Sequence, residues 1–411
     1  MKRVLVTGMG IISPIGNTIS AFWESLMAGQ CGIGPITRFS TEGYKVKIAA
    51  EVKAFDPSLY GIDTSATHRM DLFTQYAMAA AKQAMDDSGL ATHIFPHRFG
   101  VYVGSGIGGM QTFTKETEKL LNRGPDRVSP LFIPMMIGNI ASGNIAIQYQ
   151  AKGPSLPVVT ACATSTHAIG EAYRAIKHGY ADAILAGGAE AAVVPLAIAG
   201  FTNCKALTEE SDPMRASLPF DIRRKGFVLG EGAAIIVLEE YQHAMKRGAP
   251  VYGELVGYGN TCDAYHITAP HPEAEGAASA ITLALKEAKA APGERIYINA
   301  HGTGTPLNDQ AETLAIKRAL GEEAVYHALV SSTKSATGHM LGAAGGAECI
   351  ATLLALKEGM VPPTLHLDEP DPACDLDYVP HVPRKADITL GLSISLGFGG
   401  HNGVLAMRGI S

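Results

Sequence analysis

The chain has 411 residues, of which 46% are hydrophobic and 18% are charged, and this balance indicates a globular protein with a sizeable core. The formal net charge of −6 lacks the basic excess that is typical of nucleic-acid-binding proteins. The six cysteines form no CxxC pair, which argues against a zinc knuckle or a thioredoxin motif and favours a reducing compartment. No uninterrupted apolar stretch is long enough to span a bilayer. From the charge, the cysteines and this lack of a span together, we expect a cytoplasmic protein without nucleic-acid or membrane partners.

Strand-like and helix-like runs alternate along the first part of the chain. Strands are predicted at residues 3–7, 100–104, 155–160, 183–186 and 233–238, and helices at residues 70–87 and 164–178. Alternation of this kind is typical of an α/β fold with a largely buried sheet.

The second part of the chain repeats this theme. Strands are predicted at residues 251–257, 295–299, 393–396 and 404–407, and helices at residues 273–290, 310–320 and 341–357. Charged residues, Gly248 and Pro250 cluster near residues 247–250 and favour a boundary there. The similar order of elements on both sides predicts an internal duplication, with one half at residues 1–250 and the other at residues 251–411.

Glycines follow the predicted strand at residues 100–104 in the pattern GxGxxG, which begins at Gly104 and ends at Gly109. In dinucleotide-binding proteins an acidic residue ends a second strand about 20 residues further on. Here Glu116 and Glu118 lie in a helix-like stretch instead. We therefore interpret these glycines as positions where backbone segments cross closely, and we expect no nucleotide site.

The strongest local signal is Cys162, which lies where a predicted strand runs directly into a predicted helix. The free N–H groups and the positive end of that helix favour a thiolate, and they can bind an oxyanion on an acylated cysteine. The small neighbours Ala161 and Ala163 leave room for a substrate. The alternative is a buried structural thiol, since free cysteine is among the most buried residue types, and we assign that role to the other five cysteines.

Two histidines lie in segments that suit a catalytic site. His301 ends an apolar predicted strand and is followed by Thr303 and Thr305, and α/β folds place their sites at such strand ends. His339 lies at the start of the predicted helix at residues 341–357, whose positive end should keep the imidazole neutral and able to donate one N–H. Lys334 lies five residues earlier. Taken alone, each of these residues also suits a purely structural role.

Other patterns narrow the chemistry further. Phe398 stands among glycines, which suit either a mobile turn at the mouth of a pocket or a plain hairpin. The GxSxG elbow of serine hydrolases is absent. The candidate zinc ligands match no usual zinc spacing, and we therefore predict no metal site; they are Cys262, Asp263, His266 and His271.

At these residues the chain resembles the β-ketoacyl-acyl-carrier-protein synthases, and among them the elongating enzymes of bacterial fatty-acid synthesis. The resemblance rests on Thr-Ala-Cys at Cys162, Asn-Ala-His-Gly-Thr at His301, and the segment from Lys334 to His339 followed by Leu-Gly-Ala-Ala-Gly. It covers essentially the whole chain, as far as the glycines around Phe398. Thiolases carry a second cysteine in the site, and initiating synthases carry an asparagine where His339 stands.

The resemblance implies an α/β protein with a duplicated thiolase fold, packed in five αβαβα layers and assembled as a homodimer. It implies an acyltransferase that condenses an acyl group with a malonyl group, both delivered by acyl carrier protein, with loss of CO2. It implies no cofactor of the enzyme's own, because phosphopantetheine arrives on the carrier protein. The alternatives are a polyketide or secondary-lipid ketosynthase and a non-enzymatic carrier-binding partner subunit.

The resemblance also implies catalytic roles. Cys162 would accept the acyl chain, while His301 and His339 would donate hydrogen bonds to the thioester oxygen of the malonyl group. The N–H groups of Cys162 and Phe398 would hold the oxyanion of the condensation step.

Supporting roles follow from the same resemblance. Lys334 would orient the histidines, paired with Asp309 or Glu312, and Glu348 would support the site. Many family members have threonine where this chain has His401.

The remaining implied roles concern substrate and carrier contacts. The residues on the pantetheine arm or the acyl channel would be Thr303, Thr305, Ile107, Phe201 and the gate Phe398. Phe132 would reach the channel of the partner subunit. A local basic patch for the acidic carrier would include Arg69, Arg123, Arg127 and Lys205.

Overall fold

The computed structural model describes residues 1–410, with the side chains of residues 322 and 323 excepted. The α-helices are α1 (Ile19–Met27), α2 (Thr64–Thr67), α3 (Leu72–Ser88), α4 (Met110–Arg123), α5 (Phe132–Met136), α6 (Ile140–Tyr149), α7 (Thr164–Lys177), α8 (Pro195–Asn203), α9 (Tyr241–Arg247), α10 (Glu275–Glu287), α11 (Pro306–Leu320), α12 (Glu322–Val325), α13 (Lys334–Thr337) and α14 (Ala344–Glu358). The strands are β1 (Val4–Ile12), β2 (Gly34–Pro35), β3 (Ile48–Ala49), β4 (Phe99–Gly104), β5 (Ala183–Glu190), β6 (Gly232–Glu240), β7 (Gly253–Cys262), β8 (Ile296–Asn299), β9 (Leu329–Ser331), β10 (Met360–Val361), β11 (Arg384–Lys385), β12 (Leu390–Gly397) and β13 (His401–Arg408). No helix among the described residues is long and apolar enough to cross a membrane.

The large sheet contains the same strand pattern twice. Its strand order is β4-β5-β6-β1-β7-β13-β12-β8-β9, and β1 and β7 pair at the centre. Outward from the centre, β6 is antiparallel to β1, β5 is antiparallel to β6, and β4 is parallel to β5. On the other side, β13 is antiparallel to β7, β12 is antiparallel to β13, and β8 is parallel to β12. The order along the chain is also the same, which confirms the predicted duplicated α/β fold.

Helices divide the molecule into five layers. Helix α3 packs on β1 and β6, and α10 packs in the same way on β7 and β13. Helices α7 and α14 pack against each other and contact strands of both halves of the sheet, so they form the central layer. The core follows this division, because one apolar cluster surrounds the central helices and two others lie beneath α3 and α10. The predicted αβαβα arrangement is confirmed.

Each central helix is preceded by a tight 3-10 turn. The turn Ala161–Ala163 leads into α7, and the turn Leu341–Ala343 leads into α14. In both turns the first residue has a left-handed backbone, with φ 50° at Ala161 and 45° at Leu341. Because α7 and α14 lie side by side, these two strained turns lie at the same end of the molecule.

The strand predicted at residues 155–160 does not form. Only Ser155 pairs with β4, through a single parallel bridge to Val101. Pro157 has no N–H to donate to a ladder, so pairing cannot continue along this segment. Leu156 and Val159 are 47% and 57% exposed as a result.

The helix predicted at residues 341–357 begins later than expected. Residues 341–343 form the 3-10 turn and α14 starts only at Ala344. His339 therefore lies in a loop, five residues before the first residue of the α-helix, and not at the helix start. The His339 ring still receives an N–H from the start of the turn that runs into α14, because Leu341 N–H donates to His339 Nδ1 at 3.3 Å.

Candidate active site

Cys162, His301 and His339 line one cavity of about 400 Å³. Cys162 lies in the turn before α7, His339 lies just before the turn that leads into α14, and His301 follows the end of β8. The side-by-side packing of α7 and α14 brings Cys162 and His339 together, and the parallel pairing of β8 with β12 places His301 beside them. The structure thus brings together the three residues that the sequence predicted to share a site.

The turn that carries Cys162 is held at Thr160. The N–H of Thr160 donates to Thr164 Oγ1 at 2.9 Å, and its carbonyl accepts from the N–H of Ala163 at 3.0 Å. The end of β12 lies against this turn, since a Cβ at Gly397 would be 2.6 Å from the Thr160 carbonyl oxygen. This close approach directs the N–H of the next residue, Phe398, towards the Cys162 thiol.

The Cys162 side chain is a protonated thiol. Burial raises its pKa to about 12, against the opposing effects of the Lys334 charge and the Phe398 N–H. The prediction that the helix end favours a thiolate is therefore wrong for this structure. The reason is that Cys162 is buried within the 3-10 turn, where desolvation outweighs the nearby N–H groups.

His301 is fixed through its backbone. The N–H of His301 donates to Glu312 Oε1 at 2.6 Å, and the N–H of Gly302 donates to Glu312 Oε2 at 2.8 Å. The carbonyl of His301 accepts from Lys334 Nζ at 2.5 Å. Burial, followed by the charges of Lys334 and His339, lowers the pKa of His301 well below its usual value. The imidazole is therefore neutral.

His339 presents a defined tautomer. Its Nδ1 accepts a hydrogen bond from the N–H of Leu341 at 3.3 Å, which leaves the ring proton on Nε2. Nε2 is buried and has no hydrogen-bond partner in the described part of the chain. Burial and the Lys334 charge lower the pKa of His339 well below its usual value, so it too is neutral. The His301 and His339 rings lie 5.3 Å apart, centroid to centroid, at 84°.

The ion-pair partner of Lys334 is Glu348, and the predicted pairing with Asp309 or Glu312 is wrong. Lys334 and Glu348 form a buried salt bridge in which both side chains are 2% exposed. Glu312 instead receives the two N–H groups at His301, while Asp309 accepts from the N–H of Phe220 at 2.8 Å. The first turns of α11 thus bind loop backbone, which leaves the ammonium to the carboxylate on α14.

Two family models match this chain. The one described as Beta-ketoacyl synthase, N-terminal domain matches residues 1–244, and the one described as Beta-ketoacyl synthase, C-terminal domain matches residues 252–368. The chain belongs to the β-ketoacyl synthase family. Together the two matches cover both the turn that bears Cys162 and the segments that bear the two histidines.

Curated relatives and solved structures resemble this β-ketoacyl synthase over its whole length. The 3-oxoacyl-[acyl-carrier-protein] synthase 2 of Synechocystis sp. is 51% identical, covering 99% of this chain and 98% of the relative. The protein of the same name from Coxiella burnetii is 49% identical with the same coverage. A solved β-ketoacyl synthase from Burkholderia phymatum is 34% identical with a TM-score of 0.92, covering all of both chains. A solved ketosynthase/chain length factor for ishigamide is 36% identical with a TM-score of 0.93, also covering all of both chains.

Glu190 is a site residue of this ketosynthase that the sequence reasoning missed. Its Oε1 accepts from Ser105 Oγ at 2.8 Å and from the N–H of Ile107 at 3.3 Å, and its Oε2 accepts from the N–H groups of Gly106 at 2.8 Å and Gly342 at 3.0 Å. Burial raises the pKa of Glu190 to about 7, against these donors. The N–H groups of the GxGxxG loop thus bind a carboxylate of the protein itself. The carboxylate ties this loop to the turn that follows His339.

Glu190→Gln is expected to lower the free energy of unfolding by about 2–4 kcal/mol, because an amide has one acceptor oxygen and leaves two buried donors facing an NH2 group. Denaturant unfolding monitored by circular dichroism would measure the change. The matched control is Glu209→Gln, at an exposed ion pair with Lys45. It should change stability by at most about 1 kcal/mol. Equal denaturation midpoints for Glu190→Gln and the wild type would contradict a stabilising role of these hydrogen bonds.

The predicted substrate contacts fall into two groups. Thr303 and Thr305 line the cavity with their hydroxyl oxygens 3.0 Å apart, and Phe398 lines it as well. Phe201 and Ile107 are more distant. Phe201 packs edge-on against Phe227, whose ring in turn contacts His339, and Ile107 lies at the loop bound by Glu190. The acyl-channel role of these two residues stays a prediction.

The predicted basic patch is exposed. Only Lys205 of its members lies at the cavity itself, and the sequence reasoning missed Lys225, which lines the same rim. Phe132 is half-buried and packs against Phe113 with ring centroids 6.4 Å apart. The exposed members of the patch are Arg69, Arg123, Arg127 and Lys205. Carrier binding by these residues stays a prediction.

Proposed function

We propose that this β-ketoacyl synthase condenses acyl-[acyl carrier protein] with malonyl-[acyl carrier protein] to give 3-oxoacyl-[acyl carrier protein] and CO2 in fatty-acid elongation. The observation that carries the proposal is one buried thiol that shares a cavity with two neutral imidazoles. The names of its relatives at about 50% identity support elongation in fatty-acid synthesis.

The first step transfers the acyl group to Cys162. The thiol sulfur attacks the carrier thioester carbonyl, and its proton leaves with the departing pantetheine sulfur. The negative charge that forms on the carbonyl oxygen is stabilised by the N–H groups of Cys162 and Phe398, which converge at the turn. Because burial raises the pKa of the thiol, only a small fraction of Cys162 is thiolate before the carrier binds.

The second step removes CO2 from the malonyl thioester. The electron pair of the breaking C–C bond moves onto the thioester oxygen, where His301 and His339 donate hydrogen bonds. Neutral imidazoles suit this role, because each offers an N–H without adding a positive charge that would need its own compensation. The enolate then attacks the acyl-Cys162 carbonyl, a new C–C bond forms, and the Cys162 sulfur leaves and regains a proton.

The supporting residues hold this geometry. The Lys334 ammonium binds the His301 carbonyl and is itself fixed by Glu348. The hydroxyls of Thr303 and Thr305 suit the amide groups of a pantetheine arm.

We propose that the protein has no resident cofactor or metal and that it is cytoplasmic. We also propose that the carrier protein docks at the exposed arginines Arg69, Arg123 and Arg127 and at Lys205. A solved ketosynthase that is 34% identical, with a TM-score of 0.90, is complexed with its acyl-carrier protein, which supports the docking proposal.

A second copy of the chain is the proposed partner at the edge of the sheet next to β4. Large apolar side chains are exposed on the segments that cover this edge, and these are Leu121, Ile133, Ile147, Leu156 and Val159. A group of exposed apolar side chains on neighbouring segments is typical of a protein–protein interface. A homodimer would cover it and would bring Phe132 near the partner.

We also propose the division at residues 1–250 and 251–411, which the repeated strand order supports.

A condensation assay tests the proposed function. Purified protein, labelled acyl carrier proteins of increasing chain length and malonyl carrier protein should yield 3-oxoacyl carrier protein, with label trapped on Cys162. Products limited to unusual acyl chains would favour a polyketide or secondary-lipid role. Absence of any product from the protein alone would reject the enzyme and favour a carrier-binding subunit.

A further inference from the structure

His167 is a buried histidine that the proposed steps do not use. It lies in α7, five residues after Cys162, and its side chain points back towards the start of the helix. Its Nδ1 is 2.9 Å from Thr160 Oγ1, and the residue is only 3% exposed. Thr160 precedes the Cys162 turn and is hydrogen-bonded to Ala163 and Thr164. The contact with His167 adds a third hydrogen bond between Thr160 and the start of α7.

The Cys162 turn needs such an attachment. Ala161 has φ 50°, in the left-handed region that alanine adopts only when its surroundings impose it. Three groups of Thr160 are bound to the first residues of the turn and helix: its N–H to Thr164, its carbonyl to Ala163, and its hydroxyl to His167. The hydroxyl contact is the one that involves a side chain at both ends.

The other edge of the His167 ring contacts the strand behind Phe398. A Cβ at Gly403 in β13 would lie 2.8 Å from the His167 ring, and the His401 ring packs against it edge-on with centroids 6.3 Å apart. Nε2 lies at this edge, buried and without a hydrogen-bond partner among the described residues. Burial lowers the pKa of His167, which favours the neutral imidazole, and a single hydrogen bond joins its Nδ1 to the Thr160 hydroxyl.

We propose that His167 is a positioning residue for the condensation: it holds Thr160, and through it the strained turn of Cys162, against the strand that bears the Phe398 loop. The inference rests on the proposed function. Its consequence is that the two N–H groups of the oxyanion pocket, on Cys162 and Phe398, are set relative to each other through one imidazole ring.

The decisive variants are His167→Phe, which keeps a ring against Gly403 but loses both nitrogens, and His167→Asn, which keeps a polar atom near the position of Nδ1. We expect His167→Phe to lower kcat for acyl transfer about 10–100-fold with an unchanged KM for the carrier substrate, because the nucleophile is displaced while the predicted pantetheine contacts remain. His167→Asn should recover most of this loss. A kcat within about twofold of wild type for His167→Phe would overturn the proposal.

Thr160 provides the second test. Thr160→Val should reproduce the His167→Phe defect, Thr160→Ser should not, and the double variant His167→Phe/Thr160→Val should be no slower than either single variant. Multiplying defects would show that the two residues act independently and would overturn the proposal. The control is His93→Asn, at an exposed histidine remote from the cavity, which should behave as wild type in kcat and in melting temperature.

Alkylation of Cys162 by iodoacetamide separates this inference from the proposed function, because it needs no carrier protein. Loss of the Thr160 anchor moves the sulfur away from the Phe398 N–H that lowers its pKa, so less thiolate forms. Both His167→Phe and Thr160→Val should therefore be alkylated at Cys162 several-fold more slowly than wild type, with unchanged circular dichroism. Unchanged alkylation rates would overturn the positioning role even if the wild type proved inactive in condensation.

Discussion

Cys162→Ala is expected to lower condensation by at least about 10⁴-fold, because the acyl group loses its point of attachment. Release of CO2 from malonyl carrier protein should continue, since the N–H donors for that step belong to His301 and His339 and not to the thiol. Labelled CO2 and 3-oxoacyl product, measured in the same reaction, would separate the two steps.

The matched control is Cys31→Ala, at a half-buried cysteine whose contacts are to the carbonyls of Pro213 and Ser335, away from the cavity. It should retain both activities. Condensation by Cys162→Ala within tenfold of wild type would show that another group accepts the acyl chain, and the assignment of the nucleophile would then be wrong.

Lys334→Met is expected to lower the free energy of unfolding by about 3–5 kcal/mol, because it leaves the Glu348 carboxylate buried without its partner. Burial already raises the pKa of Glu348, and removal of the ammonium that opposes this rise favours its protonation. Chemical denaturation would measure the loss. A change of less than about 1 kcal/mol would contradict a buried, ionised pair.

The double variant Lys334→Met/Glu348→Met separates stability from catalysis. Stability should largely return, because replacing both members of a buried ion pair by apolar side chains is often neutral. Decarboxylation should stay about 10²-fold slower than wild type, because the His301 carbonyl has lost its donor. A double variant as active as wild type would show that the ammonium has no part in the reaction.

The same double variant should change the pH profile. The Lys334 charge lowers the pKa of His301 and of His339, in addition to the larger effect of burial. Its removal raises both pKa values, so the neutral, active imidazoles become protonated at a higher pH. The acid limb of the activity profile should therefore move to higher pH, and a shift in the opposite direction would contradict the assigned charge state.

The sequence predicted those site residues that stand at the junction or the end of a secondary-structure element. Cys162 at a junction before a helix and His301 at a strand end could be found from local pattern, and the family motifs tied them to His339. The partner of Lys334 could not be found in this way, because Glu348 reaches it from α14 through tertiary packing, while the predicted partners bind backbone N–H groups.

Burial accounts for the other misses. Glu190 is the one charged residue within residues 183–194 of the sequence, and only the fold shows that N–H groups of residues 106, 107 and 342 bind its carboxylate. The thiolate predicted for Cys162 failed because the sequence does not report how completely the turn is desolvated. At residues 155–160 a β-like composition was overridden by Pro157, which has no N–H to continue the pairing that Ser155 begins with β4.

The two strained turns before the central helices also determine how many nucleophilic thiols one chain can carry at such a turn. Cys162 is the middle residue of one, and Gly342 is the middle residue of the other, where a Cβ would lie 2.5 Å from the backbone nitrogen of Gly106. The second repeat has therefore no room for a thiol at the matching position. The proposed acylation therefore has one site per polypeptide, although the fold contains the same turn twice, and the turn of the second repeat follows His339, which the proposal assigns to decarboxylation.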